Sequence, residues 1–139
     1  MGLIYGENSQ EEGAMPNVLL VVHRRAIVQA LIDKLQKNSG ISLVYEANFS
    51  HAETAAVLHN AEVVLIEVAE SGMHNLDYCL NLCQEIRGLV PECKIIIMCS
   101  EQDQESVKRV IKAKWEGKID DFVFYDVTMD YLVSKLKSI

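Results

Sequence analysis

Residues 62–68 read EVVLIEV, with Val63, Val64, Leu65 and Ile66 in unbroken succession and Glu67 behind them. A strand with one wet face alternates apolar and polar residues. An unbroken apolar run of this length suits a strand buried on both faces, as in a parallel sheet. Four further segments have the same character: NVLLVV (17–22), ISLVYEA (41–47), KIIIMCS (94–100) and DFVFYDV (121–127).

The segments between these runs carry helical spacing. RRAIVQALIDKLQKN (24–38) places Ile27, Leu31 and Leu35 on one face, with Gly40 beyond its end. SHAETAAVLHN (50–60) opens with Ser50 and Glu53, the spacing of a capping box. LDYCLNLCQEIRGL (76–89) is followed by Pro91, which stops a helix. DQESVKRVIKAKW (103–115) starts at Asp103, a capping residue, and TMDYLVSKLKSI (128–139) closes the chain. The order is therefore strand–helix, five times over. It predicts an α/β domain over residues 17–139 with helices on both faces of a parallel sheet. Five units in this length fit a flavodoxin-like, doubly wound (βα)5 fold with strand order 2-1-3-4-5. Residues 1–16, MGLIYGENSQEEGAMP, show neither period and read as a flexible tail or an expression remnant.

Composition narrows the function classes. The 139 residues are half apolar and carry a net charge of −7, which disfavours a general nucleic-acid binder. No apolar run reaches the ~18–20 residues of a membrane span, and the first residues do not read as a signal peptide. Cys79, Cys83, Cys93 and Cys99 match neither a metal knuckle nor a CxxC motif, and read as buried, reduced thiols of a cytoplasmic protein. His23, His51, His59 and His74 form no HxxxH or HExxH pattern, so no metal or cofactor is expected. The segment VVHRRA lacks the glycine that lets backbone approach a phosphate.

In a fold of this kind the working site lies at the carboxyl ends of the strands. There the sequence resembles the receiver domain of two-component response regulators, over residues 17–138. NVLLVVHRR resembles the family's first strand, VVLIEVAESG its third, KIIIMCSEQDQES its fourth, and IDDFVFYDVTMDYLVSKL its fifth strand and last helix. The resemblance puts Glu67 at the phosphoacceptor position and Val22 and His23 at the positions of the acidic pair. It puts Ser100 and Phe122 at the switch positions and Tyr125 at that of the conserved lysine. Valine cannot ligate Mg²⁺, and histidine is a poor donor for it. Phosphoryl transfer needs a metal and cations to neutralise developing charge. The resemblance thus implies a degenerate pseudo-receiver without catalytic residues.

Several of these residues have two readings. Glu67 either mimics a phosphorylated aspartate or pairs with His23 or Arg24 at the end of its strand, and the second is favoured. Paired with Glu67, His23 would titrate near neutral pH. Ser100 is half of a two-position switch with Phe122 or a turn cap, and Phe122 is otherwise plain core. Tyr125 fills the lysine's space and is expected to hydrogen-bond Glu67. Residues 103–118 are locally basic. Lys108, Arg109, Lys112 and Trp115 form a candidate docking surface that would attract an acidic partner, or a solvated face with a half-buried tryptophan.

The leading expectation is a non-enzymatic regulatory module in signal transduction or transcription control. It would act by protein contact or self-association through the fourth helix, fifth strand and fifth helix, without phosphorylation, membrane or direct nucleic-acid binding. Two alternatives stand beside it: the input domain of a response regulator with a DNA-binding output domain beyond Ile139, and a small-ligand-binding flavodoxin-like domain.

Overall fold

The computed structural model of the chain describes residues 3–5, 17–37 and 41–139. Six strands form one sheet: β1 (Leu3–Tyr5), β2 (Asn17–Val21), β3 (Ser42–Tyr45), β4 (Val63–Glu67), β5 (Lys94–Cys99) and β6 (Asp121–Phe124). Five helices alternate with them: α1 (Arg25–Lys37), α2 (Ala52–Leu58), α3 (Leu76–Leu89), α4 (Gln104–Trp115) and α5 (Met129–Ser138). The sheet order is β1-β3-β2-β4-β5-β6. The last five strands are parallel and run in the doubly wound 2-1-3-4-5 order.

The sheet separates two apolar cores because successive strand residues point to opposite faces. Leu19, Val21, Val64, Ile66, Ile95 and Ile97 face α2, α3 and α4. Val18, Leu20, Leu65, Ile96 and Met98 face α1 and α5. Both sets are fully buried, which is why the strands read as continuous apolar runs rather than alternating ones. No helix among the described residues is long and apolar enough to cross a membrane.

Two local features differ from the sequence reading. Within residues 1–16, Leu3–Tyr5 forms an antiparallel edge strand on β3, with Ile4 opposite Val44. The remainder of that segment, and Gly40, lie outside the described residues. The Ser50–Glu53 capping box is also replaced. Asn48 caps a 3-10 turn (Phe49–His51), its Oδ1 accepting from the Ser50 amide at 3.0 Å and from Ser50 Oγ at 2.7 Å. Glu53 instead meets Glu85 of α3. The hydrogen bond between these carboxyl groups, then burial and like charge, raise the Glu53 pKa.

The other helix starts follow ordinary capping chemistry. Asn75, Asp103 and Thr128 each accept backbone amides of the helix they precede. α3 ends at Leu89, two residues before Pro91. All four cysteines are buried free thiols. Burial first of all pushes the Cys79 thiol up to about 12, those of Cys93 and Cys99 to about 11, and that of Cys83 higher still. Such thiols stay protonated and chemically quiet at neutral pH.

Candidate functional site

Glu67 is the last residue of β4, and it is only 3% exposed. A buried carboxylate requires partners, and the adjacent end of β2 supplies them. Oε1 accepts from the His23 amide at 2.8 Å and the Arg24 amide at 3.2 Å. Oε2 accepts from Arg24 Nε at 2.5 Å. The Arg24 carbonyl in turn accepts from the Ile27 amide at 3.1 Å, so these amides stand at the entry to α1. Backbone N–H groups at a helix start favour an anion. Here the protein's own carboxylate occupies that seat.

Tyr125 forms the wall beside this ion pair. The Arg24 guanidinium lies 4.2 Å from the centroid of its ring, a cation–π contact. The Tyr125 hydroxyl donates to the Val68 carbonyl. That corrects the expected bond to Glu67, and it follows from geometry: Arg24 already covers the carboxylate, while Val68 sits one residue further along. Burial, together with the negative charge of Glu67 and Glu70, pushes the Tyr125 phenol up to about 12, so it remains a donor at physiological pH.

The two positions of the family's acidic pair are used differently. The Val22 side chain is buried in the α1/α5-side core. The His23 ring stacks on Phe49 at 4.5 Å and on His74 at 5.1 Å between centroids. It does not pair with Glu67; only its backbone amide does. His74, which shows no motif in the sequence, is therefore part of the site's rim. Mg²⁺ demands several oxygen donors. Here both Glu67 oxygens are occupied by N–H groups, a guanidinium stands beside them, and Val22 and His23 offer no oxygen side chain. The residues do not fit the ion. Among the described residues no group of three or more His, Cys, Asp or Glu is arranged to hold a metal.

Ser100, only 7% exposed, accepts from the Gln102 amide at 3.0 Å through Oγ, an ordinary cap on the turn after β5. Phe122 is partly buried, edge-on to Phe124 at 5.7 Å. Beyond Tyr125 lies a cleft of about 300 Å³, walled by Glu70, Asn75, Asp77, Ser100, Asp103, Ser106 and Arg109. Most of its polar groups are engaged with each other. Arg109 pairs with Asp77, Asn75 caps α3, and Ser106 Oγ donates to Asp103 at 2.9 Å.

The fourth-helix surface departs from the basic patch expected. Lys114 pairs with Asp121 at 3.1 Å, Lys112 with Glu116 at 3.8 Å, Lys118 with Glu116 at 3.2 Å, and Lys108 with Glu105 at 4.0 Å. Local carboxylates thus offset the excess positive charge. Trp115 is 85% exposed rather than half-buried, and Ile111, one turn earlier, is 40% exposed. A groove of about 470 Å³ runs alongside, lined by Lys114, Phe122, Phe124, Tyr131 and Lys135.

No protein-family model matches the chain, and no curated protein matches it. Solved structures do. A response regulator from Thermotoga maritima is 24% identical with a TM-score of 0.71, over 88% of this chain and 95% of that one. A two-component response regulator from Clostridium difficile is 21% identical with a TM-score of 0.70, over 88% and 93%. A CheY-like protein from Pseudomonas aeruginosa is 16% identical with a TM-score of 0.66, over 88% and 97%. What these proteins share with the chain is architecture, and the chain has the CheY-like fold of response-regulator receiver domains.

Proposed function

We propose that this chain is a phosphorylation-independent, receiver-like regulatory module that acts in signalling through protein contact or self-association. The observation that carries this reading is the Glu67–Arg24 pair, set in the anion seat at the start of α1. A receiver's switch responds to a phosphoryl group and its metal. In this chain the position is filled by a carboxylate and a guanidinium from the chain itself, so one state is held without either. The side chains fit no Mg²⁺, and no lysine faces the site from β6.

Exposed Trp115 and Ile111, with the groove beside β6, support the α4–β6–α5 face as the docking surface. Tryptophan supplies the large rigid contact typical of interface anchors. Because the lysines of α4 have partners within the chain, the contact is expected to be apolar at its centre rather than an electrostatic capture.

The test is incubation with a small-molecule phosphodonor and Mg²⁺, followed by intact mass and sedimentation analysis. The expected result is an unchanged mass and an unchanged oligomeric distribution. Stoichiometric phosphate on the chain would overturn the reading. The cleft beside Tyr125 favours a small-ligand domain, but its polar walls are largely spent on each other. A thermal-shift screen with nucleotides and flavins is expected to leave Tm unchanged.

A further inference from the structure

We propose that the His23–Phe49–His74 ring stack is a proton-operated latch, in which doubly protonated imidazoles push the β4–α3 loop away from the β2–α1 loop. The rings come from three separate loops at the carboxyl edge of the sheet. Phe49 and His74 lie 4.2 Å apart at 14°, His23 and Phe49 4.5 Å apart at 15°, and the two imidazoles 5.1 Å apart at 28°. Tyr78 of α3 closes the group edge-on to His74 at 5.0 Å. Neutral rings stack well in this arrangement. One imidazolium is tolerated over the face of Phe49. A second charge at this distance is opposed by the first.

The surroundings give little compensation. From the β2–α1 loop come His23 and Arg24, the latter spent on Glu67. The turn after β3 brings Phe49, with His51 two residues on, and the buried carboxylate of Glu46, whose Oε2 accepts from the Asn48 amide at 3.0 Å. From β4 and its loop come Glu67, whose oxygens accept from amides and Arg24, and Glu70, which lines the cleft by Tyr125. From α3 come Tyr78 and Cys79, with Asp77 turned to Arg109. Burial first, and then the positive charge of a protonated His23, hold the His74 pKa below the ordinary imidazole range. The unfolded chain therefore takes up this proton more readily than the folded one. Stability is complete above about pH 6.5 and falls as pH drops through that range toward the folded value.

The mechanical consequence runs through His74's own backbone. Its carbonyl accepts from the Ala69 amide at 2.8 Å and from Cys79 Sγ at 3.7 Å, closing the loop just before Asn75 caps α3. Displacing His74 loosens that closure. The latch does not depend on the docking reading, since a chain with no partner still shows it.

The experiment compares hydrogen exchange at amides 69–76, corrected for intrinsic rates, at pH 7.5 and 5.5 in the wild type and in His74→Phe. The variant keeps a ring in the stack and removes its charge. Expected is an increase in loop opening on the order of tenfold in the wild type at the lower pH, absent in the variant. The NMR titration of His74 is expected to move when His23 is replaced by Gln, since the charge at that position is what opposes the second proton. Equal opening in both proteins, or a His74 titration unmoved by His23→Gln, would overturn the proposal. If His74→Phe fails to fold, His23→Gln serves the same comparison, and His59→Gln, outside the stack, is expected to leave the wild-type behaviour intact.

Discussion

Glu67 accepts three hydrogen bonds, one from the His23 amide and two from Arg24. Gln has nearly the same shape without the charge. Glu67→Gln is expected to cost about 1–2 kcal/mol, less than for a fully buried pair because Arg24 is half exposed and regains water. A urea titration at pH 7 measures it. Tyr125→Phe removes the hydroxyl that donates to Val68 while keeping the ring under Arg24, at an expected cost of about 1 kcal/mol. The sequence narrowed the carboxylate's partner to His23 or Arg24, because both follow β2 closely and the strands meet at the switch point; that the side chain is Arg24's is a matter of geometry. The partners of His23 and Tyr125 were not. Phe49 and His74 lie 26 and 51 positions from His23 with no spacing rule to join them. Whether a phenol reaches Oε of Glu67 or the next carbonyl is decided by distances that no pattern encodes.

At the scale of elements, the five parallel strands were legible because burial on both faces leaves a continuous apolar signature. β1 was not, since three residues are too few to show a period and a β3 edge attracts any extended segment that reaches it. The opposite edge is handled by charge. Asp121 of β6 accepts from Lys135 at 2.7 Å, from Lys114 at 3.1 Å and from the Phe122 amide at 2.8 Å. Burial works against its charged form, but these hydrogen bonds outweigh it and hold the carboxyl below its ordinary range. The stability it contributes is present above about pH 4 and lost as pH falls further. The deficit of Asp121→Asn relative to the wild type should therefore shrink between pH 6 and pH 3 in chemical denaturation. The seam between α2 and α3 has the opposite sign. Glu53 is raised by Glu85, so its favourable shared proton is lost as pH rises. Glu85→Gln should stabilise the protein by a few tenths of a kcal/mol at pH 7 and less at pH 4, read as a change in urea midpoint.

The described residues present one sheet with two sealed cores and an edge of loops at its carboxyl end. The chain's single tryptophan lies outside both cores, at the end of α4. Trp115 fluorescence should therefore show the long-wavelength emission of a water-exposed indole in the isolated chain. A shift to shorter wavelength on raising protein concentration would report self-association through the α4 face, and Trp115→Ala should abolish such association without lowering Tm. Family resemblance carried the architecture this far because architecture depends on where apolar residues fall. It could not carry the chemistry of the site, which depends on four or five side chains that the same architecture tolerates in many combinations.

The four sealed thiols make the chain its own stopwatch. Alkylating reagents attack thiolates, and each cysteine here is both buried and held protonated, so a folded molecule should gain no adduct over many minutes at neutral pH. Cys79 and Cys83 lie in α3, while Cys93 and Cys99 bracket β5. If the domain opens all at once, mass spectra taken during labelling in mild denaturant will hold two populations, bare and fourfold modified. If α3 peels away first, a doubly modified species will come and go between them, and its lifetime will time the separation of helix from sheet.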